Sequence, residues 1–190
     1  MQAFGSILPK SFYARPAADV ARDLLGRILV HGECAGRIVE TEAYLGIDDM
    51  AAHSARGITP RTRVIFGPPG HAYVYFIYGM HECLNVVAEP DGIPGCALIR
   101  SLEPLAGIER MRQRRKRERV LDLCSGPGKL TQAMGITRKQ NGADLTKGPL
   151  RLLDGNPSPF EVEITPRIGI SACVDWPLRF LISGNQFVSR

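Results

Sequence analysis

What most constrains this chain is the way turn residues cut it into short apolar runs, several of them alternating with a period of two. Arg27–His31 and Gly36–Tyr44 read as strands joined by a short glycine-containing turn, a hairpin. Tyr73–Ile77 and Leu84–Ala88 read as a second pair around a Tyr78–His81 tip, followed by a Glu89-Pro90-Asp91-Gly92 turn and a further strand over Ala97–Leu102. In the last third, Pro/Gly turns alternate with apolar runs such as Ile168–Ile170 and Leu178–Ile182, consistent with more strands. Helical spacing is confined to Pro16–Leu25 (with Gly26 as its stop), Leu105 to about Arg119, and Lys129–Met134. Between Leu45 and Pro69 the chain is rich in Gly, Pro, Ser and Thr, which predicts a long functional loop. Together these predict an α+β fold, a mainly antiparallel sheet with segregated helices. A length of 190 residues with 44% hydrophobic side chains predicts one domain over residues 1–190.

No run approaches the roughly 20 apolar residues of a membrane span, and the N-terminus lacks a charged segment leading into an apolar one. Five scattered cysteines without a C-x-x-C pair point to neither a disulfide framework nor a metal site. An intracellular protein is therefore expected. The net charge of +5 is a weak pointer to nucleic acid, but it is local: residues 110–119, RMRQRRKRER, carry seven basic side chains and one acidic. That run is either a solvated helix face or a set of phosphate contacts.

On the Gly36–Tyr44 strand a period of two places Ile38, Glu40, Glu42 and Tyr44 on one face, so two carboxylates share it and either could do acid–base work. Tyr44, Tyr73, Tyr75 and Tyr78 are four of the chain's five tyrosines and lie within 35 residues. They form either a core cluster or a stacking box for a planar, preferably cationic, π-system. The Tyr78-Gly79-Met80 tip is unusually apolar for a hairpin end and asks for a partner surface.

The runs GRIVETEAYLG, AAHS, YVYFIYGM, LNVV, LIRSLEPLAG and LCSGPGKL, in that order from about Pro9 onward, resemble the 3-methyladenine (alkyladenine) DNA glycosylase family. The resemblance implies a compact fold with a curved antiparallel sheet, surrounding helices and a protruding β-hairpin, without a helix-hairpin-helix. It implies that Glu42 is the carboxylate that deprotonates the attacking water, with Arg100 and the backbone carbonyl of Ile168 helping to hold that water. Tyr44 on one side, with Tyr75 and His53 on the other, matches the walls of the base pocket. Ala51 and His53 match positions whose backbone addresses the base edge. Asn85 matches the residue that screens out guanine. Tyr78 matches the side chain inserted into the minor groove, with Met80 beside it. Thr59, Arg61, Arg115 and Lys129 fall at or near phosphate-contacting positions, and Arg114 joins them through the basic run.

The implied protein is a monofunctional glycosylase of base excision repair, monomeric, without metal or cofactor. It would flip alkylated or deaminated purines out of double-stranded DNA: 3-methyladenine and 7-methylguanine, with hypoxanthine and ethenoadenine as further candidates. A minimal bacterial form in the cytoplasm and nucleoid is expected. The tip departs from better-known relatives at His81-Glu82, where they carry aromatic residues. Three other readings remain: a lyase using Lys129, a non-catalytic module binding distorted nucleic acid, and a small-molecule domain with an aromatic pocket.

Overall fold

The computed structural model describes residues 4–155 and 157–189. Its spine is β2, Cys34–Tyr44, eleven residues long and hydrogen-bonded along both edges. It leaves β1, Ile28–His31, through a tight turn at Gly32. One edge of β2 pairs with β5, Cys96–Ala106, over nearly its whole length. The other edge is divided, with β1 covering Cys34–Arg37 and β8, Arg179–Ile182, covering Glu40–Glu42. Outward from β5 come β4, His81–Val87, and β3, Ala72–Ile77; outward from β1 comes β6, Leu150–Leu153; β7, Val162–Thr165, pairs with β8. Every pairing is antiparallel, so the α+β expectation stands.

The sheet forks where the β2–β5 register shifts, between Ile38 and Thr41. An extra residue in one strand of a pair bends it and increases its twist. Val39 has no partner in the β5 register, and both it and Ile38 enter the main core. The simple alternation expected from Ile38 to Tyr44 is therefore wrong at its start. Glu40, which the register shifts flank on both sides, still shares a face with Glu42, as their common partner Arg100 shows.

The main core lies between the sheet and helices α1, Lys10–Tyr13; α2, Ala17–Asp23; α3, Ile108–Arg115; and α4, Pro127–Met134. Val20, Ala21 and Leu24 meet Ile38, Ile99 and Leu102, while Met111, Leu130 and Met134 extend the same cluster. The Thr41 hydroxyl donates to the Ala21 carbonyl at 2.7 Å, fixing α2 on β2.

Two expectations are corrected. The helix expected from Leu105 to about Arg119 is only Ile108–Arg115: β5 continues its pairing to Ala106, Gly107 turns at φ +72°, and Lys116 ends the helix at φ +52°. A side chain at Gly107 would sit 2.8 Å from the Glu33 carbonyl oxygen, so tertiary crowding, not helical propensity, sets the helix start. The Ile168–Ile170 run is an irregular loop instead of a strand. Elements α1, β6 and β7 are too short for their sequence patterns to announce them.

Candidate active site

Two buried carboxylates on β2 share one guanidinium, and their partners separate their roles. Glu40 is saturated: Oε1 accepts from Arg100 Nε at 3.0 Å, Arg179 Nε at 2.7 Å and the Ser189 hydroxyl at 2.8 Å, and Oε2 accepts from the Ser189 amide at 2.7 Å. Glu42 is also wholly buried, yet its partners line a cavity. Its Oε1 takes the Ile168 N–H at 2.7 Å and lies 3.2 Å from Arg100, and its Oε2 takes the Tyr44 hydroxyl at 3.0 Å. A buried charge must be paired and hydrogen-bonded to persist, and both carboxylates meet that condition. Burial lowers the Arg100 pKa, but Glu42 and Glu40 outweigh it and hold the group above its ordinary value. Burial and then the Glu42 charge push the Tyr44 phenol up, so it stays protonated and donates.

In front of this cluster, a cavity of about 120 Å³ is walled by Tyr44, Tyr73, Tyr75, His53, Ala51 and Asn85. It shares Tyr44, Tyr75, Ile77 and Gly169 with a neighbouring space of about 220 Å³ that reaches Arg100, Ile168, Tyr78 and the Pro127–Gly128 start of α4. His53 packs edge-on against Tyr75, with centroids 4.6 Å apart. Its pKa is lowered to about 4 by burial and the Arg61 and Arg56 charges, so the ring is neutral near pH 7. Nε2 accepts from Arg61 at 3.4 Å, which places the proton on Nδ1 for the Tyr73 hydroxyl at 2.9 Å. Asn85 is fixed too: its amide nitrogen donates to the Tyr73 carbonyl at 3.3 Å, and its oxygen accepts from the Cys96 thiol at 3.7 Å. The tyrosines thus stand in a cavity wall, with Tyr73 also completing a small apolar cluster with Ile65 and Val87.

Two groups that sequence reading missed hold the walls in place. Arg167 and Asp49 form a two-pronged ion pair whose side chains are fully buried. Asp49 also accepts the Leu45 and Ala51 amides, each at 3.1 Å, which folds the loop carrying Ala51 and His53. Arg167 donates to the Ala43 carbonyl at 3.0 Å and lies 4.8 Å from the Tyr44 ring centroid, one residue before the Ile168 amide that reaches Glu42. No local pattern marks either residue, because the partners lie 118 positions apart.

The β3–β4 tip carries Tyr78, 75% exposed, and Met80, 70% exposed. Tyr78 at φ +54° and Gly79 at φ +68° are the paired left-handed positions of a tight hairpin turn, a geometry that normally selects Asn or Gly. A tyrosine held in that region carries strain, a feature that clusters at functional sites.

The candidate phosphate contacts are dispersed. Arg61 lies over the Tyr75 ring at 5.1 Å beside the cavity mouth. The Thr59 hydroxyl is tied to Thr62 at 2.9 Å, and Lys129 reaches the Ser125 hydroxyl at 3.3 Å on the surface. Arg114 bonds the Ala133 carbonyl at 2.9 Å and Arg115 the Gln132 side chain, so both brace α3 against α4. Lys116, Arg117 and Arg119 follow the helix end and are exposed.

The methylpurine-DNA glycosylase (MPG) family model matches residues 11–186. A Koribacter versatilis protein described as "Putative 3-methyladenine DNA glycosylase" is 51% identical over 96% of this chain and 92% of its own length. Proteins of the same description from Methanoculleus marisnigri and Burkholderia lata are each 52% identical, over 96% and 97% of this chain and 98% and 92% of their own lengths.

Proposed function

Because the chain belongs to the methylpurine-DNA glycosylase family, and is thus a DNA-repair hydrolase, we propose that it flips damaged purines into the tyrosine-walled cavity and releases them with a water activated by Glu42. The observation that carries this reading is a buried carboxylate held by Arg100, Tyr44 and Ile168 directly behind an aromatic cavity. With the base between Tyr44 and the Tyr75–His53 pair, C1′ faces the space bordered by Arg100 and Ile168. A water there gives its proton to Glu42 while its oxygen bonds to C1′. The C1′–N bond breaks with its electron pair leaving on the purine, and the carboxylate stabilises the positive charge that develops on the sugar. A cationic 3-methyladenine or 7-methylguanine leaves as a neutral base; hypoxanthine and ethenoadenine need a proton in addition. An intact abasic site remains, with no lysine adduct. Asn85, with its amide locked by Tyr73 and Cys96, screens the base edge.

Glu42→Gln tests the mechanism. The amide oxygen can still accept from Ile168 and Arg100 while its nitrogen donates to Tyr44, so fold and lesion binding are retained. Excision from 7-methylguanine and hypoxanthine duplexes, read on gels under single-turnover conditions, should fall by about 10²–10⁴-fold, the usual worth of a general base. A Glu42→Gln variant that excises at the wild-type rate refutes the assignment.

A further inference from the structure

We propose that the buried Asp49 and Arg167 bias the cavity in opposite directions between cationic and neutral purines, acting through the face of Tyr44 turned away from the base. The proposal rests on the base-pocket reading above. The Arg167 guanidinium carbon lies 4.8 Å from the Tyr44 ring centroid. Tyr44 borders both cavities, whereas Arg167 borders neither and its side chain has no solvent exposure. The guanidinium therefore occupies the inner face of the ring, and a base in the cavity meets the outer one.

An aromatic ring attracts a cation through the negative charge concentrated on its faces. When one face already holds a guanidinium, a cationic purine stacked about 3.5 Å from the other meets a partly satisfied ring and a like charge roughly 8 Å away, a separation at which charges in a protein interior still interact. Asp49 offsets that repulsion, since its two oxygens take both terminal nitrogens of Arg167. Neither partner can turn aside: Arg167 is also tied to the Ala43 carbonyl and Asp49 to the Leu45 and Ala51 amides. A neutral purine, without net charge, is much less sensitive to either group.

The two single substitutions should therefore shift selectivity in opposite directions. Asp49→Asn leaves the guanidinium uncompensated and should lower the ratio of excision from 7-methylguanine duplexes to that from hypoxanthine duplexes by about fivefold, within the range of one cation–π contact. Arg167→Gln removes the cation and should raise the ratio by about as much. The double variant, with two neutral amides, should return it close to wild type. Single-turnover excision and duplex dissociation constants are both measured, after thermal melts establish that each variant is folded. A purely structural role moves both singles the same way, and that result, or an unchanged ratio, overturns the proposal. If Arg167→Gln does not fold, the decision passes to Asp49→Asn and the double variant: the first must lower the ratio and the second restore it. A wild-type protein that excises neither purine refutes the base-pocket reading and this inference with it. Excision of both with a ratio unmoved by the variants overturns the inference alone.

Discussion

Tyr78→Gly tests the proposal that this side chain takes the place of the flipped base in the DNA stack. In the free protein the Tyr78 side chain packs little, being 75% exposed, while its backbone sits at φ +54°. A non-glycine residue there costs about 1–2 kcal/mol. Glycine removes that cost and returns roughly 0.5–1 kcal/mol through a more flexible unfolded chain. The melting temperature should therefore hold or rise slightly. In the complex the variant lacks an aromatic face for the vacated stack, and base–aromatic stacking is worth about 1–3 kcal/mol per base. That corresponds to a roughly 5- to 150-fold smaller flipped population, since each 1.4 kcal/mol is about tenfold. The loss should be largest at a paired lesion, where extrusion is costly, and small at a bulged lesion already unstacked. A fluorescent base analogue beside the lesion reports unstacking, and single-turnover excision from both duplexes reports the consequence. Equal losses on the two duplexes with unchanged fluorescence would show that Tyr78 does not enter the DNA. A large drop in melting temperature would refute the strain argument separately.

Arg114→Ala should lower stability by about 1.5–3 kcal/mol, the worth of a hydrogen bond from a charged group, because it braces α3 against the Ala133 carbonyl; urea melts decide this. Arg117→Ala, exposed beyond the helix end, should leave stability unchanged and flatten the plot of log K against log salt by about one unit if it meets a phosphate. An unaltered slope would return that part of the basic run to a solvated surface. His53, lowered to about 4, should stay neutral throughout pH 5–8. Its folded pKa lies below the unfolded value of about 6.5, so it contributes stability that is present above pH 6.5 and lost as pH falls toward 4. NMR titration of the ring should give a midpoint near 4, and a midpoint near 6.5 would mean that the ring is open to water.

What the sequence made legible follows the range of the interactions involved. The β3–β4 tip could be read because its oddity is local: apolar residues where a turn should be polar. The face shared by Glu40 and Glu42 could be read from the strand period, but not which carboxylate borders the cavity, since that depends on Arg179 and Ser189 arriving at Glu40 from the far end of the chain. The Leu105–Arg119 helix misled because its first residues have helical spacing yet belong to β5, where Ala106 pairs with Ala35 of β2. Asp49 and Arg167 gave no signal at all, one lying in an acidic turn and the other after a proline, until the fold brought them together beneath Tyr44.

The same assembly bears on which purines can leave easily. Around the cavity Glu40, Glu42 and Asp49 are matched by Arg100, Arg179 and Arg167, so these paired groups sum to zero charge. Glu40 is central to that balance: by holding both Arg179 and Arg100 it prevents the second guanidinium from neutralising Glu42 alone. In the proposed hydrolysis of a cationic purine, Glu42 gains a proton and loses its negative charge as the base loses its positive one, so the two opposite charges cancel without any other proton transfer. A neutral purine departing by the same route would leave an anion beside Arg100, which is already committed to Glu40 and Glu42. The proton it requires must come with the base or with the water that surrounds it. Excision of neutral lesions should accordingly slow as pH rises, while excision of cationic ones should be much less sensitive to pH. A single-turnover pH series on hypoxanthine and 7-methylguanine duplexes tests this, and parallel profiles for the two would show that cancellation of charge in the site does not govern departure of the base.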